Sequence, residues 1–337
     1  MPAPRTRKLR LGLYWAASCG GCDIAALEIH EHLLELLDRA ELVFWPCVMD
    51  AKYADVEAMP DGSIDLCLFN GGLRSEENVE MARLLRRKAR VLVAFGICAS
   101  HGGIPGLANG TSLAELGEQV YRRSPSTDAG EPPRPRTTIA PGIELTLPEL
   151  LPKHTALHRV VPVDYFIPGC PPEGAQVWAV LQAVLAGDLP PRGAILGAGQ
   201  KSVCDECTLP KKQQAITAFR RPHQAVPEPE WCLLEQGFIC MGPATRSGCQ
   251  ARCPGVAMPC RGCYGPAGDS VDQGAAMIGA LGGLLAAESE SEVRAAVDTI
   301  VDPLGTLYRF TLAESQLGRP AAPNPAGAPG ARVPGKE

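Results

Sequence analysis

A doubly wound α/β domain with a parallel sheet, followed by an irregular cysteine-rich region, is the architecture this sequence predicts. Three observations predict it. Short apolar, β-favouring runs alternate with segments of helical spacing through the first half of the chain. The periodicity then fails from about residue 190. Eight of the fourteen cysteines fall in that second stretch, between 204 and 263.

Leu9–Trp15 reads as the first strand, and residues 23–38 as a helix with Ile24, Leu27, Leu33, Leu34 and Leu37 as its apolar positions. Residues 41–48 and 64–69 are the short apolar runs that a parallel sheet buries on both faces. Helical spacing covers 76–87, and 90–97 is another buried strand. Residues 122–142 carry Pro, Ser, Thr and Gly without period and read as a surface loop. A strand at 160–167 closes on Pro168 to Pro172, and Gly174–Ala186 reads as a helix. Strands alternating with helices in this way specify a flavodoxin-like doubly wound domain, spanning 1–188.

Turn formers dominate 190–265. A compact domain rarely tolerates so long an irregular loop, and metal clusters are the expected substitute for an apolar core, because ligand binding supplies folding free energy. Helical pattern returns at 273–287 and 290–301, so 189–317 is expected to form an iron–sulfur domain with C-terminal helices. Residues 318–337, mostly Gly, Pro and Ala, predict a disordered tail.

Bulk properties exclude several classes. A net charge of −5 argues against nucleic acid as a partner. The most apolar stretch, 274–287, is too short to span a bilayer. Arg5, Arg7, Lys8 and Arg10 run straight into Leu11 with no signal core before Cys19, so the expected compartment is the cytoplasm. Thiols stay reduced there, and clustered cysteines then point to metal or redox chemistry.

Cys19-Gly-Gly-Cys22 falls where the first strand gives way to the first helix. Alone, such a pair is equally a thioredoxin-like dithiol. Cys98 and Cys170 also fall at carboxyl ends of predicted strands, the edge where an open α/β sheet holds ligands. Four thiolates converging from three strand ends suit a [4Fe–4S] cluster, and Cys170-Pro171 fits its ligand habits. Cys204, Cys207, Cys232, Cys240, Cys249, Cys253, Cys260 and Cys263 supply two further four-cysteine sites. Structural zinc competes for those eight. The third site in the sheet domain favours iron–sulfur, since a zinc ribbon rarely needs such a neighbour.

The order of motifs resembles the small subunit of nickel-iron hydrogenases, especially the cytoplasmic methyl-viologen-reducing (F420-non-reducing) type. The resemblance rests on Cys19-Gly-Gly-Cys22, Gly96-Ile-Cys98-Ala with Gly102-Gly-Ile-Pro-Gly106, the run from Asp164 to Pro172, Cys204-Asp-Glu-Cys207, the later cysteines, and the run from Asp302 to Phe310. It implies an oxidoreductase subunit holding three [4Fe–4S] clusters: a proximal one on Cys19, Cys22, Cys98 and Cys170, a distal one on Cys204, Cys207, Cys232 and Cys240, and a medial one on Cys249, Cys253, Cys260 and Cys263. Catalytic metal would sit in a separate large subunit. Electrons would pass to a downstream iron–sulfur or flavoprotein acceptor, heterodisulfide reductase-linked. Cys204 stands where many periplasmic relatives have histidine, and Cys253 implies a fourth medial ligand. Asn70 stands where relatives usually have glutamate, which puts a proton-handling role at that strand end in doubt. The competing functions are a quinone-reducing subunit of an NADH dehydrogenase-like complex, argued against by the eight extra cysteines, and a zinc-stapled interaction module.

Other residues carry plainer readings. Cys47 and Cys67 lie in apolar strand patterns and read as buried structural thiols. His30, His32, His154, His158 and His223 lack ligand spacing and read as surface residues. His101 is either a donor to a cluster sulfur or a loop histidine. Asp205 and Glu206 are solvated turn residues or face a partner.

Overall fold

The computed structural model describes residues 7–317 apart from 129, 131–135, 142 and 269. The predicted tail at 318–337 lies outside the described residues. In chain order the first elements are β1 (Leu9–Trp15), α1 (Gly21–Leu27), α2 (His32–Arg39), β2 (Ala40–Phe44), α3 (Tyr53–Ala58), β3 (Ile64–Asn70), β4 (Leu73–Ser75), α4 (Glu76–Lys88), β5 (Ala89–Phe95) and α5 (Ile97–His101). There follow α6 (Leu113–Glu118), β6 (Arg136–Ala140), β7 (Ile143–Thr146), β8 (Leu150–Thr155), β9 (Tyr165–Ile167) and α7 (Gly174–Ala186). Only short helices remain after that: α8 (Arg252–Gly255), α9 (Gln273–Gly282), α10 (Glu290–Asp298) and α11 (Pro303–Leu307).

Five strands form one sheet in the order β2-β1-β3-β5-β9, every neighbour parallel. That is the doubly wound flavodoxin-like order. Both faces are covered, which is why the strands read as nearly continuous apolar runs. Leu11, Leu13, Leu68, Val93 and Ile167 pack on one face with Ile29 of the α1–α2 turn, Leu36 of α2, and Val177 and Leu181 of α7. Tyr14, Cys67, Phe69, Leu92 and Phe166 pack on the other with Val56 of α3 and Met81 and Leu85 of α4.

The structure departs from the sequence reading at several boundaries. The single helix expected at 23–38 is two, because the chain turns at His30 with φ 54°. The strand expected at 41–48 ends at Phe44, and turns follow at residues 46–48, after the buried Trp45. Of the strand expected at 160–167 only β9 forms, preceded by a turn at Leu157–Arg159. The loop at 122–142 contains β6, which pairs with β7. Pattern marks which residues are apolar, but where a strand stops depends on how far its neighbour continues the ladder.

The second half also has an apolar core of its own, which the cysteine argument did not require. Val203, Ile216, Phe219, Leu234, Met241, Met277, Leu281 and Leu307 pack around Cys240 and Cys260. Helix α9 and the turns before α11 supply much of it. Several ties join this part to the sheet domain among the described residues, three of them being these. The Tyr264 hydroxyl donates to Gln176 Oε1 at 2.7 Å, Gly103 N–H donates to the Phe310 carbonyl at 3.0 Å, and Arg159 forks onto Glu314 at 2.7 to 3.1 Å. Burial opposes the Glu314 charge, yet hydrogen bonds from His158 and Arg159 hold its carboxyl down at about 2.

Candidate metal centres

The first site stands at the carboxyl edge of the sheet. Chain leaving β1 carries Cys19 and then Cys22 in α1; β5 leads through Gly96 to Cys98 in α5; β9 leads to Cys170. In the sheet order β1 and β5 flank β3 and β9 lies beyond β5, so all three strand ends stand on one edge of the sheet. Burial is the main force raising the Cys22 thiol, and Cys98, Cys170 and Cys19 add to it in that order. Burial likewise pushes Cys98 up to about 12, reinforced by Cys170 and Cys19, and Cys170 up to about 11, reinforced by Cys19. Each of the four therefore lies within electrostatic reach of the others. Buried thiols stay protonated and inert unless a metal supplies the compensating charge, so loading the site must release protons.

Two glycines make room for these sulfurs. Gly96 (φ 85°, ψ 167°) and Gly103 (φ 59°, ψ −161°) occupy backbone regions essentially restricted to glycine. A Cβ at 96 would overlap the Cys22 sulfur, and one at 103 the Cys98 sulfur. Either Gly→Ala change therefore adds strain of about 1–3 kcal/mol and displaces a thiol. We expect Gly96→Ala and Gly103→Ala to lower the iron retained per chain selectively at this site, with the other two sites still filled. Metal analysis combined with cluster spectroscopy checks this.

The second group, Cys204, Cys207, Cys232 and Cys240, lines one cavity of about 110 Å³ together with Leu209, Lys211 and Pro243. Burial lifts Cys204 to about 12, with Cys240, Cys232 and Cys207 adding to it and Lys211 opposing. Cys240 is lifted to about 11 by burial, against hydrogen bonds from Gly242 and Cys260 backbone N–H groups. Four thiols lining one cavity suit either a single zinc ion or an iron–sulfur cluster.

In the third group Cys263 rises to about 12 through burial, then through Cys249, Cys170 and Cys253. Cys249 is raised by burial, Glu206 and Cys253, against backbone N–H donors from Ala251 and Arg252. Burial also drives the Cys260 thiol well up, and its largest neighbouring influence is Cys240 of the second group, ahead of Cys263. The Cys260 N–H donates to Cys240 Sγ at 3.2 Å. Electrostatic influence therefore runs among the cysteines within each set, and contacts also run between sets: Cys170 with Cys263, and Cys240 with Cys260. Among the described residues, no three Cys, His, Asp or Glu groups close on a point that one ion would fill.

Curated relatives match the chain over nearly its whole length. The family model of the NADH ubiquinone oxidoreductase 20 Kd subunit matches residues 19–184, which begin just after β1 and include Cys19, Cys22, Cys98 and Cys170. The F420-non-reducing hydrogenase iron-sulfur subunit of Archaeoglobus profundus is 41% identical over 318 residues, covering 92% of this chain and 98% of that one. A subunit of the F420-non-reducing vhu hydrogenase of Methanocaldococcus jannaschii is 36% identical over 316 residues, covering 94% and 99%. The chain belongs to the F420-non-reducing hydrogenase iron-sulfur subunit family. A chain of the solved NAD+-reducing [NiFe]-hydrogenase is 34% identical, covers 55% of this chain and 94% of its own, and superposes with a TM-score of 0.47. Membership extends through the cysteine-rich half, so neither an NADH dehydrogenase-like subunit nor a zinc-stapled module is favoured. As a hydrogenase small subunit this is part of an oxidoreductase, and iron–sulfur is its cofactor class.

Several residues of this hydrogenase subunit sit elsewhere than expected. Cys67 is buried in β3, but Cys47 is exposed in the turn after β2, where Pro46 ends the strand. His154 and His158 are buried, not on the surface: they lie beneath the C-terminal segment that Glu314 pins down. His30 and His223 are exposed, and His32, half-buried, stacks on Trp178 at 4.6 Å. His101 is buried against Gly265, two residues beyond Cys263, and burial lowers it to about 4, so it is neutral. Asp205 is exposed and caps its own turn through Ser202, whereas Glu206 accepts from Gly248 N–H at 2.8 Å beside Cys249. Sequence reasoning missed Asp23, a buried carboxyl adjoining Cys22, and no local signal marks it. Among the described residues no helix is long and apolar enough to cross a membrane.

Proposed function

We propose that this chain holds three [4Fe–4S] clusters and relays electrons between a nickel-iron large subunit and a downstream redox protein. The ligand sets are Cys19, Cys22, Cys98 and Cys170; Cys249, Cys253, Cys260 and Cys263; and Cys204, Cys207, Cys232 and Cys240. On this reading residues 1–188 carry the proximal site and 189–317 the medial and distal sites, in the cytoplasm. Clusters supply reversible one-electron storage when bound, tuned by burial and hydrogen bonds to sulfur.

The observation that carries the order is the pair of contacts between groups. Cys170 of the first set adjoins Cys263 of the third, and Cys260 of the third donates through its N–H to Cys240 of the second. This sequence of contacts supports a proximal–medial–distal wire. Its two ends differ in character. Around the exposed Cys19, the apolar side chains of Trp15, Ile24, Leu27 and Val48 are also exposed, which suits a large-subunit surface. At the other end the cavity of Cys204 opens beside the exposed Lys211 and Lys212, which suits a polar, transient partner. We read that partner as an iron–sulfur or flavoprotein acceptor, heterodisulfide reductase-linked.

Anaerobic purification followed by iron and acid-labile sulfide analysis tests the cluster count. Three cubanes predict about twelve of each per chain, with three distinct spectra on graded reduction. A stable oxidised [3Fe–4S] signal in the intact protein would remove Cys253 from the medial set.

A further inference from the structure

We propose that Asp23 is a positioning residue that holds a fixed negative charge against the proximal site and sets its reduction potential low. The inference rests on the proximal ligand set argued above.

Asp23 follows Cys22 in α1 and is only 6% exposed. A buried carboxyl is costly unless its oxygens are bonded, and here each oxygen accepts a side-chain hydrogen bond. Trp45 Nε1 donates to Oδ1 at 2.8 Å, and Asn70 Nδ2 donates to Oδ2 at 2.6 Å. The pocket is therefore built for an anion.

Asn70 is chosen by this arrangement. It ends β3, 1% exposed, between the strands that carry Cys19, Cys22 and Cys98. Ser18 Oγ donates to Asn70 Oδ1 at 3.1 Å, which turns the amide so that its nitrogen meets Asp23. A carboxylate at 70 would face Asp23 across the same short gap, two buried anions with no cation among the groups described around them. An amide satisfies the first carboxylate and adds no charge. The charge of Asp23 also reaches the sulfur, since it is among the groups raising the Cys22 thiol, after burial and the three partner cysteines.

Reducing a cluster adds negative charge, and a fixed anion nearby opposes that more strongly in a buried setting than in water. Removing it must move the potential upward. EPR-monitored redox titration of the purified hydrogenase complex reads this without any turnover. In Asp23→Asn we expect the oxidised-to-reduced ratio of the proximal signal, at the wild-type midpoint, to fall about tenfold, which is about 59 mV for one electron. The exchange variant Asp23→Asn/Asn70→Asp keeps one carboxylate and one amide in the same pocket. It should return the midpoint most of the way to wild type, a rescue that a merely structural role does not predict.

An unchanged midpoint in Asp23→Asn with full iron overturns the proposal. So does an exchange variant that keeps the raised midpoint. Loss of the proximal signal from both variants assigns the carboxylate to folding alone and overturns it too. Absence of any proximal signal from the wild-type complex would instead defeat the ligand assignment on which the inference rests.

Discussion

Cys19→Ala is expected to abolish hydrogen-dependent dye reduction while leaving the fold and the two C-terminal sites in place. Cys19 is exposed at the start of α1, so trimming its side chain opens no cavity in the core. Its remaining partners are mostly buried, and burial keeps Cys22, Cys98 and Cys170 protonated once the fourth ligand and the metal charge are lost. The loss should exceed the roughly 100-fold that removing even a supporting group at a metal site can cost. Iron should fall by one cluster's worth, and the medial and distal spectra should persist. Retention of dye reduction near the wild-type rate, with the proximal signal gone, would exclude Cys19 from the entry point of the wire.

Cys207→Ala should act at the opposite end and divide the two assays. Cys207 lines the distal cavity and is half-buried, so its loss empties that site without touching the sheet domain. On the proposed ligand sets small dyes can still collect electrons at the medial site, because Cys253 is exposed. A protein acceptor must dock where the distal site emerges. Reduction of the acceptor that co-purifies with the complex should therefore fall by about tenfold or more, the lower bound for metal-site damage, while dye reduction stays within a few-fold of wild type. Metal analysis of the untouched sites must accompany both assays, because losing a cluster also removes folding free energy. Equal loss in the two assays, with those sites full, would reverse or discard the proximal-to-distal order.

Much of this protein is legible in one dimension. The flavodoxin-like class follows from apolar runs alternating with helical spacing, because a sheet covered on both faces needs strands that are apolar throughout. The convergence of Cys19, Cys22, Cys98 and Cys170 is an expectation drawn from strand ends, whereas the division of the later eight cysteines into two sets comes only with the family resemblance. The hydrogenase resemblance follows from motifs in family order. Boundaries were less legible. The break near His30 and the early end of β2 depend on where helix α2 and the neighbouring strand leave room, which no local pattern encodes.

Short-range pattern alone specifies the candidate ligands and the layers that present them. Which groups meet is a property of the folded chain. Asn70 reaches Asp23 across 47 residues of chain because β3 lies between β1 and β5 in the sheet. Cys260 meets Cys240 because the turns after 238 fold back on themselves. His154 and His158 are buried, not exposed, because a segment more than 150 residues later, anchored by Glu314 on Arg159, covers them. Strand order and loop return are long-range choices, made by burial of the whole apolar surface, and no residue's immediate neighbours in sequence report them.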